Sequence, residues 1–234
     1  MGAVATMTAR WLRLTRTSRL VSDSNTQVRH PLFARMYARM ADQFEAKGGA
    51  DHRREMLAGV SGRVIEVGAG TGLNFGHYPD TATEVVAVEP EAYLRAKAEA
   101  AAERASVDVR VVLGTADALP ADDESFDVAV ASLVLCSVPD QAHALAEIRR
   151  VLRPGGELRF YEHIRSHHPK FARRQRRVDI IWPRVGGGCH ASRATDEAIE
   201  QAGFVVENKR HFTFRPSWTA YLMAPHVIGV ARRP

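Results

Sequence analysis

The sequence predicts an α/β domain in which helices cover both faces of a mostly parallel sheet. Three observations predict this fold class. Short apolar stretches alternate with helical segments between Gly62 and Gly156, as in right-handed β-α-β units. A glycine-rich loop directly follows the first of these strands, and an acidic residue follows each of the next two. Because ligands bind beyond the carboxyl ends of parallel strands, the pattern also predicts a ligand site at one edge of the sheet.

The predicted elements follow one another in a regular order. Apolar residues recur every three or four positions from 30 to 57, which indicates one helix before the sheet. Five strands of the sheet core are expected at residues 64–67, 84–88, 109–113, 126–132 and 157–162. Two clear helices are expected between them, at residues 91–104 and 140–152. Residues 204–211 and 225–231 are expected to form a closing antiparallel pair. The expected total is seven strands.

The loop after the first strand is the most informative motif. Gly68, Gly70 and Gly72 alternate with other residues, and glycine lets a backbone turn sharply beneath a ligand and present its N–H groups to it. A dinucleotide-binding loop would have the spacing G-x-G-x-x-G, with its third glycine where this chain has Leu73. The observed G-x-G-x-G spacing, preceded by Glu66, therefore departs from the dinucleotide-binding pattern.

These motifs resemble class I S-adenosylmethionine (SAM) methyltransferases of the type 11 group. The resemblance implies a Rossmann-like three-layer sandwich whose seven-stranded sheet ends in an antiparallel strand, with SAM at its carboxyl edge. It also implies which residues bind SAM. Glu66 and the three glycines lie under the methionine and ribose, Glu89 holds the ribose hydroxyls, and Asp117 with Ala118 faces adenine. Further cofactor-binding candidates are Asn74, Pro90, Leu133 and Tyr37, the last as a lid that could equally be core packing.

Later segments resemble a narrower group, the methyltransferase-like thiol S-methyltransferases. The likeness rests on segments 133–138, 162–163, 187–189 and 225–231. It implies a small thiol acceptor. Animal members of that group carry an N-terminal hydrophobic anchor, whereas this chain begins with a polar, basic leader.

A thiol acceptor requires little from the protein beyond placement. A free thiol has a pKa near 8.5, so a few per cent is already thiolate at neutral pH. His163 and His190 are candidate bases, because an imidazole near pKa 6.5 suits proton transfer and both are expected near the acceptor pocket. Cys136 is a third catalytic candidate, with pocket lining as the alternative. The aromatic residues that could line an acceptor cleft, or pack in the core, are Trp182, Phe212, Phe214, Trp218 and Tyr221.

Composition bounds the remaining possibilities. The chain has 234 residues, of which 45% are hydrophobic, enough for one sizeable domain, which we assign to residues 29–234. Residues 1–28 form a basic leader expected to be flexible, with membrane-surface binding through Trp11, Leu12 and Leu14 as the alternative. No apolar run is long enough for a membrane-spanning helix, and we expect a cytoplasmic protein. Two cysteines without close spacing predict neither a disulfide framework nor a metal site.

Three alternatives stay open. The net charge of +5 comes largely from the leader and a basic run at 170–177, which could contact RNA, although the run lacks interleaved aromatic residues apart from Phe171. We expect no nucleic-acid partner. The acceptor atom could be oxygen or nitrogen of a small metabolite or lipid amine. The protein could also be a SAM-binding regulator without catalytic activity. The oligomeric state is not predicted.

Overall fold

A seven-stranded sheet forms the centre of the computed structural model, which describes residues 31–234. The strands are β1 Gly62–Val67, β2 Ala82–Val88, β3 Val109–Val112, β4 Phe126–Ser132, β5 Leu152–His163, β6 Val205–Thr213 and β7 Pro225–Arg232. Their order across the sheet is β3-β2-β1-β4-β5-β7-β6. The first five strands are parallel, and β7 runs antiparallel to both β5 and β6. The predicted fold class is therefore confirmed.

Helices pack on both faces of this sheet. They are α1 Pro31–Phe44, α2 Ala50–Leu57, α3 Ala92–Ala102, α4 Gln141–Val151, α5 Pro169–Val178, α6 Trp182–Val185 and α7 Thr195–Gln201. Along β2, Val85 and Ala87 belong to the apolar core shared with α2 and α3, whereas Val86 and Val88 belong to the core shared with α4 and α7. This alternation follows from the two-residue period of a strand and gives the molecule its three layers.

The first helical segment differs from the expectation of one continuous helix. A kink at Glu45–Gly49 separates α1 from α2, and within it Lys47 and Gly48 leave the helical conformation, with Gly48 at φ of 111°. Only glycine adopts that backbone conformation without strain, so the Gly48-Gly49 pair bends the chain there. The apolar periodicity continues across the bend, which is why it did not reveal the break.

The predicted fifth strand is also longer than expected, because it begins at Leu152 rather than Glu157. Leu152 pairs with Phe126 of β4 ahead of a register shift, while Pro154 and Gly155 make the stretch look like a turn in sequence. The other strand ends lie within about two residues of those expected, the usual uncertainty of such boundaries.

Two loops at the carboxyl edge of the sheet are fixed by the helices that follow them. The Glu91 side chain accepts a hydrogen bond from the backbone N–H of Leu94 at the start of α3, and Asp140 accepts one from His143 at the start of α4. Such capping bonds satisfy N–H groups that the helix leaves free. They hold the chain that leaves β2 and β4 in a defined direction.

None of the helices in residues 31–234 combines the length and apolar character needed to cross a membrane. The proposed leader, including Trp11, Leu12 and Leu14, lies outside the described residues.

Candidate active site

The glycine loop after β1 adopts a backbone that requires glycine at three positions. Gly68, Gly70 and Gly72 have φ of 71°, 59° and 81°. A Cβ at Gly68 would collide with the Val134 side chain, and one at Gly72 would lie 2.7 Å from the ring of Phe75. Neighbouring side chains, as well as any ligand, therefore exclude a larger residue at these two positions.

The space above Gly70 is bounded by an aromatic ring. A Cβ at Gly70 would lie 3.4 Å from Tyr37 Cε1, an ordinary van der Waals distance. Tyr37 belongs to α1 and stacks on Phe33, with ring centroids 6.0 Å apart. Burial raises the pKa of the Tyr37 hydroxyl, and the Arg53 guanidinium opposes this shift. The structure thus brings Tyr37 to the glycine loop, and its role as a lid stays a prediction.

Glu89 at the end of β2 is joined directly to the glycine loop. Its Oε2 accepts a hydrogen bond of 2.8 Å from the backbone N–H of Gly70, and its Oε1 accepts one of 2.9 Å from that of Glu91. Burial raises the pKa of Glu89 to about 7 against the effect of these two bonds. Each carboxylate oxygen retains a free lone pair, so Glu89 can accept further hydrogen bonds from a ribose diol.

A buried polar network supports the glycine loop from beneath. Glu66 Oε1 accepts 2.9 Å from Asn74 Nδ2, and Glu66 Oε2 accepts 2.6 Å from the Tyr78 hydroxyl. Burial raises the pKa of Glu66 to about 7, although both hydrogen bonds lower it. Glu66 and Asn74 were both predicted to bind the cofactor. The structure shows the two side chains hydrogen-bonded to each other, and their direct contact with SAM stays a prediction.

Arg53 completes this network and was not singled out from the sequence. Its Nη1 donates hydrogen bonds of 2.8 Å to Asn74 Oδ1 and 2.9 Å to Ser132 Oγ. Its Nε donates one of 2.8 Å to Glu45 Oε1. The residue is only 5% exposed. One guanidinium therefore ties the bend after α1 to the glycine loop and to the end of β4.

The other predicted cofactor residues lie at the carboxyl edge of the sheet. Asp117 and Ala118 are exposed in a tight turn after β3, in which the Ala118 N–H donates 3.2 Å to the carbonyl of Thr115. Pro90 directly follows Glu89, and its carbonyl accepts from Arg95. Their contacts with adenine and ribose stay predictions.

Leu133 directly follows β4 and has an unusual backbone conformation. Its φ is 56°, a value that branched or bulky residues rarely adopt, and its N–H donates 2.7 Å to the carbonyl of Tyr161. Such strain persists where the surrounding structure fixes it, often at functional sites.

The loop after β4 is anchored by one carboxylate. Glu162 is fully buried and accepts hydrogen bonds from the backbone N–H groups of Val134 and Leu135 at 2.8 Å and of Cys136 at 3.3 Å. Burial raises the pKa of Glu162 to about 7 against these bonds. Glu162 is therefore a positioning residue, because it fixes where Cys136 lies.

Two predicted catalytic residues meet at this loop, together with a second cysteine. The ligand atoms of Cys136, His163 and Cys189 lie within 4.8 Å of one another, and His163 Nε2 is 2.9 Å from Cys189 Sγ. Hydrogen bonding to Cys136 lowers the pKa of Cys189 to about 4, and the same bond together with burial raises that of Cys136. Burial lowers the pKa of His163, but the neighbouring Cys189 raises it more. Cys189 and His163 therefore each favour the charged form of the other.

His190, the third catalytic candidate, lies outside this cluster. Its side chain is 38% exposed, and its Nδ1 is 4.0 Å from Asp179 Oδ2. Its backbone N–H donates 2.9 Å to the carbonyl of Cys136, so the residue holds the two loops together through its main chain. A role for its side chain in catalysis stays a prediction.

The predicted aromatic lining is divided in the structure. Phe212 and Phe214 pack around His52 and His226 beside Tyr161 at the ends of β5, β6 and β7. Burial lowers the pKa of His226 to about 3. By contrast, Trp218 is 86% exposed and Tyr221 is 42% exposed. Only part of that set can therefore form the wall of a closed acceptor cleft.

Comparison with known proteins identifies the family. The methyltransferase domain family matches residues 65–160. The human protein named thiol S-methyltransferase TMT1B is 35% identical over 181 residues, which cover 75% of this chain and 73% of that protein. Human thiol S-methyltransferase TMT1A is 35% identical over 195 residues, covering 78% of each chain. The chain belongs to this family of SAM-dependent methyltransferases.

Solved structures place the methyltransferase in the same fold. A methyltransferase from Bacillus halodurans superposes with a TM-score of 0.66 at 21% identity, covering 80% of this chain and all of that one. A SAM-dependent methyltransferase from Thermotoga maritima gives 0.64 at 22% identity, covering 87% and 97% of the two chains. At these identities the likeness concerns the fold.

The described residues of the methyltransferase fit its cofactor, SAM. Glu89 offers buried carboxylate oxygens, Gly70 places no side chain against the Tyr37 ring, and Thr71 Oγ1 is buried without a hydrogen-bond partner among residues 31–234. An unpartnered buried hydroxyl is costly and points to a ligand or water that satisfies it. Gly70 and Thr71 lie on the glycine loop, and Glu89 at the end of β2 is hydrogen-bonded to that loop.

Proposed function

We propose that this methyltransferase transfers the methyl group of SAM to the sulfur of a small-molecule thiol. The observation that carries the proposal is the identity of 34–35% with proteins named thiol S-methyltransferases over about three quarters or more of both chains. The cluster of buried cysteine and histidine side chains beside the loop after β4 supports it, since it can interact with a sulfur-containing acceptor.

The residues of the chain serve mainly to hold and align the reactants. SAM supplies an activated methyl group on a sulfonium, and the acceptor sulfur must approach that carbon in line. In the proposal the glycine loop and Glu89 fix the adenosyl part, while Leu133 and the loop after β4 border the methyl group. Alignment of this kind can contribute about 7–11 kcal/mol in well-oriented systems. We expect the acceptor to be a small molecule and not a nucleic acid.

The acceptor class is tested by incubating the purified protein with SAM and matched thiols, phenols and amines of similar size, and detecting methylated products by mass spectrometry. The expected result is methylation of thiols at a rate well above that of the other two classes. Methylation confined to phenols or amines would identify an O- or N-methyltransferase and refute the thiol assignment. Tight SAM binding without any product would identify a non-catalytic SAM-binding protein.

The assignment of Glu89 to the cofactor site predicts a loss of SAM affinity in the Glu89→Gln variant. A hydrogen bond to a charged group contributes about 1.5–3 kcal/mol, so SAM affinity should fall by about 10- to 100-fold. Isothermal titration calorimetry measures the change. The matched control is Glu99→Gln, an exposed residue of α3 that should bind SAM as the wild type does. Equal affinities for wild type and Glu89→Gln would remove Glu89 from the cofactor site.

A further inference from the structure

Three side chains that commonly bind metals meet at the carboxyl edge of the sheet. Cys136 lies in the loop after β4, His163 is the last residue of β5, and Cys189 lies in the loop before α7. Their Sγ, imidazole nitrogen and Sγ atoms lie within 4.8 Å of one another. They are 26 or more residues apart from one another in sequence, so the fold alone brings them together.

The loop that carries Cys189 is fitted closely to the loop that carries Cys136. Gly188 has φ of 85°, and a Cβ there would lie 2.7 Å from the carbonyl oxygen of Ser137. His190 N donates 2.9 Å to the carbonyl of Cys136, and Arg193 Nη1 donates 2.7 Å to that of Leu135. The approach of the two sulfur atoms therefore follows from specific contacts between the loops.

Cys136 and His163 are buried, Cys189 is partly buried, and neither cysteine forms a disulfide. Cys136 is 2% exposed and His163 is 5% exposed, and both cysteines are free thiols. His163 Nδ1 is buried without a hydrogen-bond partner among residues 31–234. Catalytic zinc sites use three protein ligands of this kind and keep the fourth position open.

We propose that Cys136, His163 and Cys189 bind a zinc ion whose fourth coordination position takes the sulfur of the acceptor. Zinc binds cysteine sulfur at about 2.3 Å and histidine nitrogen at about 2.0–2.1 Å in a tetrahedron. The contact of 2.9 Å between His163 Nε2 and Cys189 Sγ would then widen to about 3.6 Å, the separation that these bond lengths and the tetrahedral angle require. The assignment of the fourth position rests on the proposed function.

The transfer step balances with zinc unchanged. The acceptor thiol loses its proton to solvent when its sulfur coordinates the ion. A sulfur lone pair then forms the new bond to the methyl carbon, and the bond from that carbon to the sulfonium sulfur breaks. The products are a neutral thioether and S-adenosylhomocysteine. A thioether is a weaker zinc ligand than a thiolate, so the product leaves the fourth position open again.

Metal analysis tests the site without reference to activity. Protein stripped with a chelator under reducing conditions is loaded with zinc, desalted and measured by mass spectrometry of the metal, with an expected content of about one zinc ion per chain. Cobalt(II) loading should give an intense thiolate-to-cobalt charge-transfer absorption. Absence of both signals in the folded wild type would overturn the site, as would a Cys136–Cys189 disulfide that persists in reductant.

Variants assign the ligands. Cys136→Ser and Cys189→Ser should each lower zinc affinity by at least about tenfold. Replacing a residue that only supports a zinc ligand already costs about 10- to 100-fold in affinity, so loss of a ligand should cost no less. Cys189 is less buried than Cys136, so Cys189→Ser keeps the test decisive if Cys136→Ser does not fold. The control is His211→Ala, which removes one member of a separate group formed by exposed His167, buried Asp196 and exposed His211. His211→Ala should retain zinc, and loss of zinc in that variant alone would overturn the assignment.

Activity assays separate this inference from the proposed function. Zinc-loaded wild type should methylate a small thiol at least about tenfold faster than zinc-free wild type. Equal rates would overturn the role of the fourth position while leaving thiol methylation intact. Zinc binding by the three residues without thiol methylation in either form would instead refute the proposed function and leave the metal site in place.

Discussion

At the scale of single residues, Arg53 illustrates a buried charge with several hydrogen-bond partners. Its guanidinium donates to Glu45, Asn74 and Ser132, and its side chain is 7% exposed. Moving such a group out of water costs several kcal/mol unless every donor finds a partner. The arrangement is therefore expected to fix the position of the glycine loop as much as to stabilise the fold.

Replacing Arg53 should be far more costly than replacing its neighbour. Arg53→Met leaves Glu45 and Asn74 without their donor, and breaking a buried ion pair costs about 3–5 kcal/mol. Arg54 instead pairs with Asp51 at the surface with its side chain 61% exposed, so Arg54→Ala should change the free energy of unfolding by at most about 1 kcal/mol. Urea denaturation of the two variants measures the difference. Equal losses in both would contradict the network.

The sequence reveals some of these residues more readily than others. Gly68 and Glu89 could be selected because loop and strand-end patterns have a local signature. Arg53 has none, except that it lies three and four positions before Met56 and Leu57 and so shares their buried face. A charged residue on that face was a usable signal. The approach of Cys136 to Cys189 had no local signal, because it depends on how two distant loops pack.

At the scale of elements, the parallel core followed its hydrophobic pattern closely. Strands β2 and β4 have continuous apolar runs because both of their faces are buried, and such runs are easy to recognise. The bend at Gly48 and the early start of β5 at Leu152 were missed for a common reason. At both places the departure involves glycine or proline, and the backbone conformation of these residues depends on contacts with residues distant in sequence.

Helix α5 buries one polar side chain, that of Gln175, beside the small apolar Ala172. Four of its arginines, at positions 173, 174, 176 and 177, are exposed, whereas Gln175 is fully buried. Gln175 Nε2 donates to the carbonyls of Ile164 and Leu222 at 3.1 and 2.9 Å, and its Oε1 accepts 2.8 Å from Ser166 N. These hydrogen bonds tie the helix to the end of β5 and to the segment before β7.

Gln175→Leu should therefore release α5 selectively. The substitution leaves buried carbonyls unsatisfied, each at a cost of about 1–3 kcal/mol. Hydrogen exchange followed by mass spectrometry should show faster exchange in residues 169–178, while the strands exchange as in the wild type. Gln201→Leu, at an exposed position of α7, is the matched control and should leave α5 unchanged. Slow exchange in α5 of the Gln175 variant would mean that apolar packing alone holds the helix.

At the scale of the whole molecule, buried carboxyl groups link stability to pH. Burial raises the pKa of both Glu66 and Glu89 from 4.5 to about 7. The folded state therefore holds these protons more tightly than the unfolded state between about pH 4.5 and 7. Linkage then requires that their contribution to the free energy of unfolding decreases as pH rises through this window and is constant above it. Both carboxyl groups lie next to the glycine loop, so this pH-dependent loss of stability arises at the candidate cofactor site.

The Glu66→Gln variant isolates one of these contributions. Glutamine retains the size and an acceptor for Asn74 but has no proton to lose, so the variant should show a flatter dependence of unfolding free energy on pH between pH 5 and 7. The difference in slope from wild type should be at most about 1.4 kcal/mol per pH unit, the value for one proton. Urea denaturation across the pH range measures it, and Glu103→Gln, at an exposed position, should leave the slope of the wild type. If the unfolding free energies of Glu66→Gln and wild type were to depend on pH with the same slope, the Glu66 carboxyl would be ionised throughout that range. Arg53, which reaches Glu66 through Asn74, would then stabilise the carboxylate charge despite its burial.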